Sequence, residues 1–182
     1  MITDIWKAIN EEDIDLLAMT LLNEPNLVDK ESEWGDTPLK LAIEAGQIDS
    51  VNCLLSYGAN PNKELNLLSP ISGRKNEKMA PLMFARKINI IETLIAAGAN
   101  INARDSSGKS VLFFVGKAYD IDLLNCLIKH GANLIKDEIE ILQDLSLDEL
   151  EYRKAVESNQ TSERITRLEK MVEWCKSNLP NT

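Results

Sequence analysis

The sequence predicts an all-α fold, a solenoid of stacked helix-turn-helix units. Three observations carry that prediction. The string Gly-Ala-Asn occurs at Gly58-Ala59-Asn60, Gly98-Ala99-Asn100 and Gly131-Ala132-Asn133. Each copy follows an apolar pair, Leu54-Leu55, Leu94-Ile95 or Leu127-Ile128, as the end of a helix with one buried face would. The last two copies stand 33 residues apart, a period that marks small modules able to bury their apolar faces only against one another.

The units follow in order along the chain. Residues 1–31 hold Thr3-Asp4-Ile5-Trp6-Lys7-Ala8-Ile9, then Asp13-Ile14-Asp15-Leu16-Leu17, which recurs as Asp120-Ile121-Asp122-Leu123-Leu124. This unit ends on Glu24-Pro25-Asn26-Leu27 instead of Gly-Ala-Asn, and terminal units of an array are expected to be atypical because one face meets water. Residues 32–64 form the best-defined unit. Thr37 is placed to cap an inner helix whose first residue, Pro38, has a pre-set φ and no N–H to leave unpaired. Leu39, Ala42 and Ile43 recur at helical spacing, as do Ile48, Val51, Leu54 and Leu55, and Gly58 suits the left-handed position that ends an outer helix. Each helix alone is too short to be stable in water, so stacking supplies what it lacks.

The run Gly35-Asp36-Thr37-Pro38-Leu39-Lys40-Leu41-Ala42 resembles the G-x-T-P-L-H-x-A signature of ankyrin repeats, with Lys40 where histidine is usual. The resemblance covers residues 1–136 as about four repeats: 1–31, 32–64, 75–104 and 105–136. It implies inner and outer helices joined by loop or β-hairpin tips. It also implies protein binding through those tips and the concave inner-helix face.

Two repeats depart from the pattern. Ala80-Pro81-Leu82 lies 18 residues before Gly98, where Thr37 and Ser110 lie 21 before their glycines, so three residues are missing between the helices of the third repeat. The step from Gly58 to Gly98 is nevertheless 40 residues, which leaves ten inserted residues at 65–74. In the fourth repeat, Val111 replaces the proline and Tyr119 stands where a glycine normally turns between helices.

Residues 137–182 read as two or three capping helices. Ile139 and Leu142 suit one short helix, Ser146 is placed to cap a second from about Leu147 to Val156, and Thr161 or Ser162 a third carrying Ile165, Leu168, Val172 and Cys175, with Pro180 beyond its end. These helices are expected to cover the last repeat. An intermolecular seam through Ile165, Leu168 and Val172 is the alternative.

Composition narrows the function. There is no run of about 18 apolar residues and no basic region ahead of an apolar stretch at the N-terminus, so a soluble, cytoplasmic protein is expected. A net charge of -9 argues against nucleic acid and anionic membrane and favours a basic protein partner. Seven acids and no Lys or Arg fall between Asp137 and Glu151, read either as a solvated face or as a docking face for a basic protein. Cys53, Cys126 and Cys175 are expected as core residues.

No catalytic signature is present: there is no phosphate-binding loop, no H-E-x-x-H and no C-x-x-C. The single histidine, His130, sits in a last helical turn, where an imidazole suits the helix C-terminus, and Cys126 four residues earlier should face inward. The expectation is a non-enzymatic, monomeric module without cofactor or metal. The less favoured alternative is an enzyme using carboxylates of the C-terminal segment.

The partner-binding candidates fall in two groups. Glu33, Trp34, Asp36 and Glu44 occupy variable tip and inner-helix positions, with Trp34 an anchor aromatic in solvent or else packed on a neighbouring loop. Leu65, Leu67, Leu68 and Ile71 form an apolar finger with Arg74 and Lys75 at its root. Such a finger either folds back or meets a partner. The narrower role is a stoichiometric inhibitor or immunity-type protein neutralising a basic toxin, with an adaptor or secreted effector as the alternative.

Overall fold

The structure, a computed structural model, describes residues 2–67, 77–133, 135–156 and 163–179. The chain divides into two compact bodies, Met1–Val111 and Leu112–Thr182.

In the first body, helices α1 (Ile2–Asn10) and α2 (Ile14–Asn23) form one pair, and α3 (Pro38–Ala45) and α4 (Ile48–Ser56) the next. The third pair is a 3₁₀ turn, Pro81–Phe84, with α5 (Ile88–Ala96). Inner elements stack on inner and outer on outer: α1 on α3, α3 on the 3₁₀ turn, α2 on α4, α4 on α5. Ile9, Leu17, Ile43, Leu54, Met83, Ile90 and Leu94 are buried along this stack.

Capping chemistry sets the helix starts. Thr37 Oγ1 accepts the Lys40 N–H at 3.2 Å and Pro38 takes the first helical position, as its sequence predicts. Asp13 and Asp120 cap their outer helices in the same way. The three Gly-Ala-Asn strings close outer helices with φ near +90° at Gly58, Gly98 and Gly131, which only glycine adopts without strain. Asn62, two residues after the first string, joins that tip to the next. Asn62 Oδ1 accepts the Asn100 N–H at 2.6 Å, and its amide donates to the Gly98 carbonyl at 2.8 Å.

The step into three of the four outer helices uses one left-handed residue just before the cap. Gly46 fills it in the second pair, with φ 70°. Glu12 and Tyr119, at φ 56° and 55°, fill it in the first and fourth despite carrying side chains. The third pair has no such residue, because its three missing residues reduce the inner helix to one 3₁₀ turn that leaves through an extended Ala85.

The inserted segment begins in a strand, β1 (Leu65–Leu67), which pairs antiparallel with β2 (Glu77–Met79). Leu65 lies opposite Met79 and both are buried. Of the two outcomes open to this apolar segment, Leu65 therefore folds back: ladder pairing turns its side chain into the body. Leu68, Ile71, Arg74 and Lys75 lie outside the described residues.

The second body holds α6 (Val111–Gly116, entered from the first body), α7 (Ile121–Lys129), α8 (Lys136–Val156) and α9 (Glu163–Asn178). The expectation of a helix break at Ser146 is corrected, since α8 runs unbroken for 21 residues. Ser146 is fully buried and its hydroxyl donates to the Leu142 carbonyl one turn earlier, at 2.6 Å, so it back-bonds within the helix instead of capping a new one. Thr161, Ser162 and Pro180 lie outside the described residues.

The residues of the alternative intermolecular seam pack within the chain. Ile165, Leu168 and Val172 are buried with Leu150, and Tyr119 and Leu147 pack on them. Helix α9 also meets α7, where the Trp174 indole N–H donates to Asn125 Oδ1 at 3.1 Å. Among the described residues, no helix is long and apolar enough to cross a membrane.

Candidate functional site

The loop before α3 is a tight turn closed by four hydrogen bonds. Ser32 Oγ accepts the N–H groups of Trp34 and Asp36, the Ser32 N–H donates to the Asp36 carbonyl, and the Gly35 N–H to the Ser32 carbonyl. Trp34 sits at its apex with 62% of its surface exposed. With Trp6, Lys30, Glu31 and Glu33 it lines an open depression of ≈ 490 Å³.

The equivalent turn at 105–109 has the same bonds with other side chains. Asp105 Oδ1 accepts the N–H groups of Ser107 and Lys109, the Asp105 N–H donates to the Lys109 carbonyl, and the Gly108 N–H to the Asp105 carbonyl. Ser107 occupies the position of Trp34. The turn therefore folds with a serine at its apex, and the indole is not required for it.

On the inner-helix face, Lys40 decides the electrostatics. Its ammonium lies 2.7 Å from Asp36 and 2.8 Å from Glu44, one turn to either side, and 5.1 Å from the ring centre of Phe84 on the next inner element. Only 9% of Lys40 is exposed. Burial alone pulls its pKa down, but the hydrogen bonds and charges of Asp36 and Glu44 outweigh it and hold the ammonium above the ordinary lysine range. Asp36 and Glu44 thus share one cation, and the cluster keeps a single net negative charge instead of presenting two open carboxylates. Of the four tip and inner-helix candidates, Glu33 and Trp34 lie together at the tip, while Asp36 and Glu44 meet through Lys40.

Sequence reasoning passed over Trp6, Lys40 and Phe84. Lys40 was legible, since it stands four residues from each acid. Trp6 and Phe84 come from neighbouring elements and carried no local signal.

Residues that suggested chemistry serve the fold. Cys126 and Cys175 are buried, and burial pushes the Cys175 thiol up to about 11. Cys53 is partly exposed, not the core residue expected, and burial raises its thiol as well. His130 is exposed at the end of α7, with Nδ1 3.2 Å from the Cys126 carbonyl. In the acidic segment, Asp137, Glu140, Asp144, Asp148 and Glu151 face solvent, and Glu138 is buried with 3% exposure.

The ankyrin repeat family model matches residues 34–64 and 77–106, the second and third helix pairs with their tips. Those two stretches are ankyrin repeats. The human transient receptor potential cation channel subfamily A member 1 is 32% identical over 109 residues, covering 57% of this chain and 9% of that protein. Neurogenic locus notch homolog protein 1 of Danio rerio is 26% identical over 152 residues, covering 68% of this chain and 6% of the relative. The 2-5A-dependent ribonuclease of Mus musculus is 36% identical over 61 residues, 34% of this chain and 8% of that one. The chain thus spans less than a tenth of each relative's length. Ankyrin repeats are protein-interaction modules. In ankyrin terms Trp34 stands on the tip and Lys40 on the inner helix.

Proposed function

We propose that the protein is a non-enzymatic binding module that holds a protein partner by the tip around Trp34 and by the inner-helix face. One observation carries the reading: an indole 62% exposed on a turn that folds equally with serine at that place. Exposing a large aromatic has a solvation cost, and interface energy concentrates in such residues. Trp6 beside it extends the aromatic surface, and Glu33 with Lys30 supplies a charged rim. In this reading Leu67, Leu68, Ile71, Arg74 and Lys75 add contacts from the insertion, and Leu65, being buried, adds none.

The narrower role is neutralisation of a basic protein as a stoichiometric, immunity-type inhibitor, acting as a cytoplasmic monomer. The net charge of -9 supports a basic partner. Recruitment of a target, as an adaptor or a secreted effector, is the alternative, separated from inhibition by partner number and affinity.

The test is parallel capture on immobilised wild type and Trp34→Ala, quantified by mass spectrometry. Truncating an anchor tryptophan costs about 2 kcal/mol or more, so a true partner should bind the variant roughly 30-fold more weakly. Equal recovery on both would retire the tip as the binding surface. A single, tight basic protein bound one to one supports inhibition, whereas several weakly held proteins count against it.

A further inference from the structure

Helix α8 has two unlike faces. Ile139, Leu142, Ser146 and Leu150 are buried, Leu150 in the cluster with Ile165, Leu168 and Val172. The outer face nevertheless carries large apolar residues: Ile141 and Leu145 are each 38% exposed and Tyr152 is 58% exposed. At about 100° per residue these three fall within an arc of roughly 40°, so they form one stripe along the helix. Along one flank of the stripe run Asp137, Asp144, Asp148 and Glu151, all exposed. Glu140 and Glu149 on the same helix are paired with Lys136 and Arg153, but these four acids make no ion pair among the described residues.

We propose that the outer face of α8 is a docking site for a basic amphipathic helix of a partner protein. The site lies in the second body and uses no residue of the Trp34 tip, so it stands or falls separately. Charge complementarity selects the occupant. The stripe accepts apolar residues spaced one turn apart, and the acidic flank accepts Lys or Arg along the edge of the same incoming helix. A second copy of this chain would bring its own acidic flank and a net charge of -9. Anionic lipid and nucleic acid meet the same repulsion.

The experiment titrates the full-length protein with an 18-residue synthetic peptide carrying Leu at helical spacing on one face and Lys on the other. Binding is followed by calorimetry and by backbone NMR shifts. The expected result is saturable binding that weakens with salt, with shift changes concentrated between Lys136 and Val156. A control peptide with Glu replacing every Lys should not bind. Leu145→Ser with Tyr152→Ser should weaken binding at least tenfold, and Asp144→Asn with Asp148→Asn and Glu151→Gln should weaken it and flatten its salt dependence. The charge variant alters only solvent-facing groups, so it decides the matter if the serine variant loses helicity. Shift changes elsewhere, unchanged affinity in the charge variant, or a dimer by light scattering that Leu145→Ser dissolves would overturn the proposal.

Discussion

Single residues here do work that their type does not announce. Lys40 holds a position where the ankyrin signature has histidine, and it gathers Asp36, Glu44 and the Phe84 ring around one ammonium. Its pKa in the folded protein lies above the ordinary 10.5. The stabilising contribution is therefore fully present below pH 10.5 and is lost as the pH climbs through the raised value. Lys40→Met should cost about 1 kcal/mol at neutral pH, since a largely buried two-partner bridge exceeds a single exposed pair. In urea denaturation the gap between wild type and variant should shrink as the pH climbs above the ordinary lysine value of 10.5; a gap constant with pH would show that packing, not charge, sets it. Glu12 and Tyr119 make a second contrast, because both hold a left-handed backbone that costs a side-chain-bearing residue roughly 1–2 kcal/mol. Glu12 is exposed, so Glu12→Gly should stabilise by about 0.5–1 kcal/mol. Tyr119 packs on the Leu150 cluster, and Tyr119→Gly should destabilise by about 2 kcal/mol or more despite the relaxed backbone. Paired denaturation curves check both signs.

At the scale of elements, α8 is the informative case. A serine followed by Leu147, Asp148 and Glu149 has the form of a helix start, and on that local signal a break at Ser146 was expected. The opposing factor is tertiary: Leu142, Ser146 and Leu150 share the buried face, so ending the helix there would remove a face that packs on α9. Ser146→Pro should break α8, with a loss of ellipticity at 222 nm and about 3 kcal/mol or more of stability. Ser146→Ala should stay within about 1 kcal/mol of wild type, because a neutral internal bond is exchanged for better helix propensity. Retention of full helicity by the proline variant would mean that α8 is not the continuous element described. The same division of information runs through the molecule. Thr37-Pro38, the Gly-Ala-Asn strings and the three-residue deficit before α5 were legible, because caps, left-handed closures and chain length act locally. The ladder partner of Leu65, the packing of Ile165, Leu168 and Val172 on Leu150, and the meeting of Lys40 with Phe84 were not. Each is fixed by a partner far away in sequence. For the candidate site, Trp34 was visible as an aromatic at a solvent position, while its redundancy for the turn emerged only beside Ser107.

For the molecule as a whole, charge and anchor residues act on different steps of binding. Many of the cations are already held: Lys7 by Glu11, Lys63 by Glu31, Lys78 by Glu64 and Lys154 by Glu169. With 29 acids against 20 bases, the field outside the protein is negative at neutral pH. Such a field acts over the screening length and speeds encounter with a basic partner, whereas an indole that becomes covered on binding acts only after contact. The two therefore separate kinetically. In stopped-flow with the partner captured through Trp34, raising salt from about 10 mM to 150 mM shortens the Debye length from roughly 30 Å to 8 Å and should lower the association rate by an order of magnitude or more. It should leave dissociation nearly unchanged. Trp34→Ala should do the reverse, raising the dissociation rate roughly 30-fold with association within a factor of about three of wild type. A partner whose association ignores salt would not be the basic protein that this charge favours. A Trp34→Ala variant that slowed association alone would place the indole in the encounter, not in the bound complex.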